Sequence, residues 1–138
     1  MTDELDRLKK IAAENIRYER QLARLRDARK QTSCIEKAVN RALENIIAGK
    51  ANSFVIYGEP QSGKTEMMIC LTAKLIDKGF SVIVHLLNDS VQLLQQNLDR
   101  FQRSSLSPSA RNFSEIIDPS FHCLPANTSF FVRKTRMT

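Results

Sequence analysis

Lys64 and Thr65 follow Gly63 in the stretch GEPQSGKT, residues 58–65, and Gly58 opens it. The spacing G-x-x-x-x-G-K-T is that of a loop that wraps a phosphate chain. Successive backbone N–H groups from about Gln61 to Thr65 can turn inward around a β-phosphate, at the positive end of the helix that follows. Gly58 allows a sharp exit from the preceding segment, and Gly63 lets the backbone approach the ligand without a Cβ. Lys64 would neutralise charge on the outer phosphates, and the Thr65 hydroxyl would serve as a hard oxygen ligand for Mg²⁺. The expected cofactors are therefore ATP, or another nucleoside triphosphate, and Mg²⁺. The expected binding set is Gly58, Glu59, Pro60, Gln61, Ser62, Gly63, Lys64, Thr65 and Glu66.

Cleaving the bound nucleotide needs more than a grip. Enzymes built on such loops place an acidic residue at a strand end, where it holds the magnesium shell. The run VIVHLLND ends in Asp89, the candidate catalytic acid, although its position before VQLLQQNLDRF equally suits a helix cap. EIID ends in Asp118 but reads as helical, and no Asp or Glu follows it. No conventional second magnesium motif is visible, so the sequence leaves open whether the chain is an enzyme. His85 and His122 lack ligand-spaced partners and read as structural. Met67 and Met68 read as core filler. Arg133, Lys134 and Arg136 cluster past the last apolar run, where they either meet phosphate or nucleic acid or form a solvated end.

The elements that must position these residues alternate. Residues 3–30 contain neither Gly nor Pro and carry a narrow apolar stripe, Leu8, Ile11, Tyr18, Leu22 and Leu25, on a charged helix. That helix either packs on its own domain or forms an arm for a protein partner or self-association, and its narrow stripe favours a surface position. A second helix over 33–48 has Ser33 and Glu36 at capping-box spacing and Gly49 as its left-handed stop. Residues 53–57 read as a buried parallel strand, 63–78 as the loop helix and 80–87 as the next strand. A helix follows with Val91, Leu94, Leu98 and Phe101 on one face, then a short helix over 108–117 and a last strand over 128–132. This alternation predicts an α/β fold, a three-layer phosphate-loop architecture with a short parallel sheet of about three strands preceded by two helices. The expected division is 1–31, the charged N-terminal helix, and 32–138, a partial nucleotide-binding domain.

The segment FVIYGEPQSGKTEMMICLTAKLIDKGFSVIVHLLNDSVQLLQQNLDRF resembles the nucleotide-binding start of helicase-like P-loop ATPases. Within these it is similar to the Z-one domain family of restriction- and defence-associated ATPases, related to superfamily-two helicases. LPANTSFFVRKTRMT is similar to the strand that precedes that family's acidic magnesium motif. The resemblance covers residues 52–138 and carries over Gly58, Gly63, Lys64 and Thr65. It implies an incomplete domain, the N-terminal part of a nucleic-acid-handling ATPase whose acidic motif and second lobe lie outside this sequence. Two rival readings are an AAA-type ATPase or loader and a non-catalytic, nucleotide-gated interaction module.

Composition is compatible with these readings. The chain has 138 residues, 42% of them apolar, and a net charge of +6 that suits an anionic partner such as nucleotide, DNA or RNA. Cys34, Cys70 and Cys123 are widely spaced and form no C-x-x-C pair, which argues against a disulfide framework or a zinc site. The charged start MTDELDRLKK and the lack of a run of about 20 apolar residues predict a cytoplasmic protein without a membrane anchor.

Overall fold

The computed structural model describes residues 3–6, 16–49, 53–59, 63–88, 90–115 and 128–133. They fall in two compact units, Met1–Lys78 and Gly79–Thr138.

The first unit is helical. Residues 3–6 are helical, and three longer helices follow: α1 (Arg17–Asp27), α2 (Ser33–Ala48) and α3 (Lys64–Asp77). Both α1 and α2 pack on α3. In α1 the residues at spacings of three and four, Tyr18, Gln21, Leu22 and Leu25, are buried. The α3 face that receives neighbours is Ile69, Cys70, Thr72, Ala73 and Ile76. The helix expected to lie on the surface is thus part of the core at Leu22 and Leu25, while Leu8 and Ile11 lie outside the described residues.

Polar contacts fix α1 antiparallel to α3. Ile16, at the N-cap of α1, has no side chain able to accept a hydrogen bond. The Asp77 carboxylate takes that role, accepting from the backbone N–H of Arg17 at 3.2 Å and of Tyr18 at 3.0 Å. The Arg17 guanidinium adds an ion pair to Asp77 at 3.4 Å. At the other end, Arg24 pairs with Glu66. The Tyr18 hydroxyl is buried with no hydrogen-bond partner among the described residues, and Lys74 lies 4.6 Å from the centre of its ring. Helix α2 starts one residue earlier than its capping-box spacing suggested. Thr32 is the N-cap, and its hydroxyl donates to the Glu36 carboxylate at 3.2 Å. Gly49, with φ of 60°, ends the helix in the left-handed region.

In the second unit, β1 (Val82–Leu87), α4 (Val91–Arg103), β2 (Arg111–Asn112), a 3-10 turn (Phe113–Glu115) and β3 (Thr128–Arg133) follow in order. The sheet order is β1-β3-β2. The pairing is parallel, with Val82 opposite Thr128, Leu87 opposite Arg133 and Arg111 opposite Phe130. Ser90 caps α4 by accepting from the Leu93 N–H at 3.2 Å. The core is aromatic: His85 stacks on Phe131 at 4.5 Å, and Phe101 meets both rings edge-on at 5.0 and 4.7 Å. Leu94, Leu98, Leu106 and Ala110 complete it. Val91, expected on the buried face of α4, is exposed. Where a helix over 108–117 was expected, 108–110 are irregular and 111–115 form β2 and the 3-10 turn.

The expected three-layer phosphate-loop fold is therefore overturned. Helix dominates, with α1 to α4 running 11, 16, 14 and 13 residues, against strands of six, two and six. Residues 53–57, expected as the first strand of the sheet, form no strand at all. The physical reason is pairing. An apolar run becomes a strand only where a neighbour satisfies its ladder groups. This run leaves Val55 92% and Tyr57 87% exposed.

Candidate phosphate-binding site

The site is built at the start of α3. Gly63 is the N-cap of that helix and takes φ of 80°, a left-handed conformation that side chains resist. Among the described residues a Cβ built on it would meet nothing within 4 Å, as is also true at Gly49 and Gly79. The first backbone bond of the helix runs from the Met67 N–H to the Gly63 carbonyl at 3.0 Å. The N–H groups of Lys64, Thr65 and Glu66 precede that ladder and carry the positive end of the helix dipole.

Lys64 reaches back across the loop, its ammonium donating to the Gly58 carbonyl at 2.9 Å. Gly58 and Lys64, six residues apart, therefore meet, as a closed loop requires. Glu59 is exposed and Thr65 half-buried. Pro60, Gln61 and Ser62 lie outside the described residues. Glu66 does not stand free beside the loop: Arg24 holds one of its oxygens and the Lys30 ammonium lies 3.8 Å from the other. Those two cations were not legible as site residues. Their only trace in the sequence is the dense charge of the first helix.

A cavity of about 150 Å³ opens beside Gly58, Gly63 and Lys64. Its other walls are Cys34, Ile35 and Ala38 of α2, Ile56 and Tyr57 of the segment before the loop, and Met67 of α3. Sequence reading took Met67 for core filler and gave the other five no part in a binding site. Two thiols in this unit differ in character. Cys34 is exposed, whereas burial, with the Glu66 carboxylate adding to it, pushes the Cys70 thiol up to about 12. Cys70 is a protonated core residue, and nucleophilic chemistry does not belong to it.

The remaining candidates lie elsewhere. Asp89, His122, Lys134 and Arg136 are outside the described residues, as is Asp118. Arg133 is the last residue of β3. His85 belongs to the aromatic core, and burial lowers it to about 4, so it is neutral at pH 7. Among the described residues no group of three His, Cys, Asp or Glu could hold a metal ion, and no helix is long and apolar enough to cross a membrane.

Compared with protein-family models, with curated proteins and with solved structures, the chain matches none.

Proposed function

We propose that residues 58–65 bind the phosphate chain of a nucleoside triphosphate, ATP with Mg²⁺, at the N-terminus of α3. The observation that carries this reading is the Lys64 ammonium bridging to the Gly58 carbonyl at 2.9 Å, beside a left-handed Gly63 at the N-cap of α3. A neutral carbonyl is a modest partner for an ammonium, and a phosphate oxygen is a stronger one. Binding would exchange one for the other while the helix N–H groups face the same anion. None of this requires a strand before the loop. The residues present fit the metal to the extent of one hard ligand, the Thr65 hydroxyl, because magnesium at such sites takes its other oxygens from phosphate and water.

The activity proposed is binding, with turnover left to acids that the loop does not supply. Glu66, next to Thr65, is occupied by Arg24 and Lys30. That contact favours a nucleotide-gated module, since a ligand pulling on the start of α3 acts on α1 through the same ion pairs. A nucleic-acid partner, DNA or RNA, is proposed with it: the resemblance of residues 52–138 to helicase-like ATPases and the net charge of +6 support that reading.

Titration calorimetry with MgATP tests the reading. Lys64→Ala removes a charge-assisted contact and should weaken binding by about 1.5–3 kcal/mol, tenfold or more. Equal affinity of wild type and variant would remove it.

A further inference from the structure

The cavity beside the loop carries an inference that rests on the phosphate reading and goes beyond it. Its volume, about 150 Å³, is below the roughly 300 Å³ at which sites for whole small ligands begin. It has room for one flat ring system, not for a nucleotide. Gly58, Gly63 and Lys64 form part of its wall, so a ligand with phosphates on the loop has its remainder within reach of the space. The rest of the wall is Cys34, Ile35, Ala38, Ile56, Tyr57 and Met67. These side chains are apolar or weakly polar, with one aromatic ring among them, and among the described residues of the wall no carboxylate, amide or guanidinium is present to read the edge of a base.

We infer that this cavity is the nucleobase subsite of the same nucleotide, and that it accepts adenine and guanine alike. Tyr57 explains the choice of ligand. A tyrosine that lines a cavity yet remains 87% exposed leaves ring surface in water. Stacking on a planar base removes that surface from water, and it tolerates base identity because every base presents a π face. Hydrogen bonds that would distinguish an amino from a keto edge need fixed donors and acceptors. Among the described side chains the wall offers a thiol, a phenol and the Lys64 ammonium, and the ammonium is committed to the loop.

The experiment uses the full chain and three magnesium complexes: ATP, GTP and base-free tripolyphosphate. Tyr57 is exposed, so Tyr57→Ala should fold. It should weaken ATP and GTP by roughly tenfold, the low end of base stacking on an aromatic, and leave tripolyphosphate unchanged. In the wild type, ATP should slow alkylation of Cys34, read on its own peptide by mass spectrometry, and tripolyphosphate should not. Equal affinity for ATP and tripolyphosphate, with no effect of Tyr57→Ala and no protection of Cys34, overturns the subsite but leaves the phosphate site standing. A preference for ATP over GTP well beyond tenfold overturns the tolerance of base identity. Failure of all three ligands to bind the wild type strikes the phosphate reading itself, and the subsite falls with it.

Discussion

Residues 54–57, FVIY, and 82–87, VIVHLL, are similar in composition and have opposite fates. The second is β1, paired in register along its whole length with β3. The first pairs with no strand among the described residues; exposure does not separate the two, since Val82, Val84 and Leu86 of β1 are exposed as Val55 and Tyr57 are. Intrinsic preference cannot separate them, because both are rich in β-branched and aromatic residues. The difference lies in what each unit supplies. The second unit offers another strand and an aromatic layer beneath it. The first offers helices, and a helix has no free ladder of N–H and C=O groups along its side. Gly58, which follows FVIY, is instead tied to the start of α3 by the Lys64 ammonium.

The sharpest way to test that contrast is to remove the layer under β1. Phe101 is fully buried and contacts both His85 and Phe131. Phe101→Ala should cost about 3–5 kcal/mol, in the range of other buried aromatic truncations. Hydrogen exchange followed by mass spectrometry should show β1 and β3 peptides exchanging faster while the α1 peptide keeps its protection. Equal loss of protection in α1 would mean that the two units unfold as one and that the comparison between them is empty.

The first unit has its own point of failure in Asp77. Its carboxylate caps α1 through two backbone N–H groups and pairs with Arg17, and its side chain is only 8% exposed. Asp77→Ala leaves the helix start uncapped and a nearly buried guanidinium short of its carboxylate, a loss of about 2–3 kcal/mol. Asp77→Asn keeps one acceptor and should recover part of it. The expected signature is faster exchange in the α1 peptide with β1 unchanged, the mirror image of Phe101→Ala. An unchanged α1 would show that Leu22 and Leu25 alone hold the helix in place.

These contacts mark the limit of what the sequence discloses. Gly49 as a helix stop, Gly63 at the start of the loop helix and the polar cap before Val91 are local signals, encoded within a turn or two. The motif of Gly58, Gly63, Lys64 and Thr65 is equally local. Asp77 capping a helix 60 residues earlier in the chain is not local, and neither is Arg24 on Glu66, 42 residues away. The base cavity joins residues 34–38, 56–58 and 63–67, three segments that only packing brings together. The fold was misread for a related reason. A short apolar run reports that burial is wanted, but which partner satisfies it is a tertiary matter.

Acid should separate the two runs again, by a smaller margin. FVIY contains a single titratable side chain, the exposed Tyr57, whereas VIVHLL carries His85 against Phe101 and Phe131. Burial lowers His85 from 6.5 to about 4, so the folded chain resists a proton that the unfolded chain accepts. The folded pKa is depressed, and the stability it confers is complete above the unfolded value of 6.5 and lost as pH falls toward 4. Between pH 7 and pH 5 the loss is about 2 kcal/mol, from 1.36 kcal/mol per pH interval over which only the unfolded state is protonated. His85→Phe keeps an aromatic ring of similar breadth in the stack and removes the proton site. The exchange rate of the β1 peptide in the wild type should rise between pH 7 and pH 5 relative to His85→Phe, once the intrinsic pH dependence of exchange is divided out. The α1 peptide should show no such difference between the two proteins. If the variant loses β1 protection in acid as steeply as the wild type, His85 is not the group that titrates, and the acid sensitivity of the second unit lies in its carboxylates.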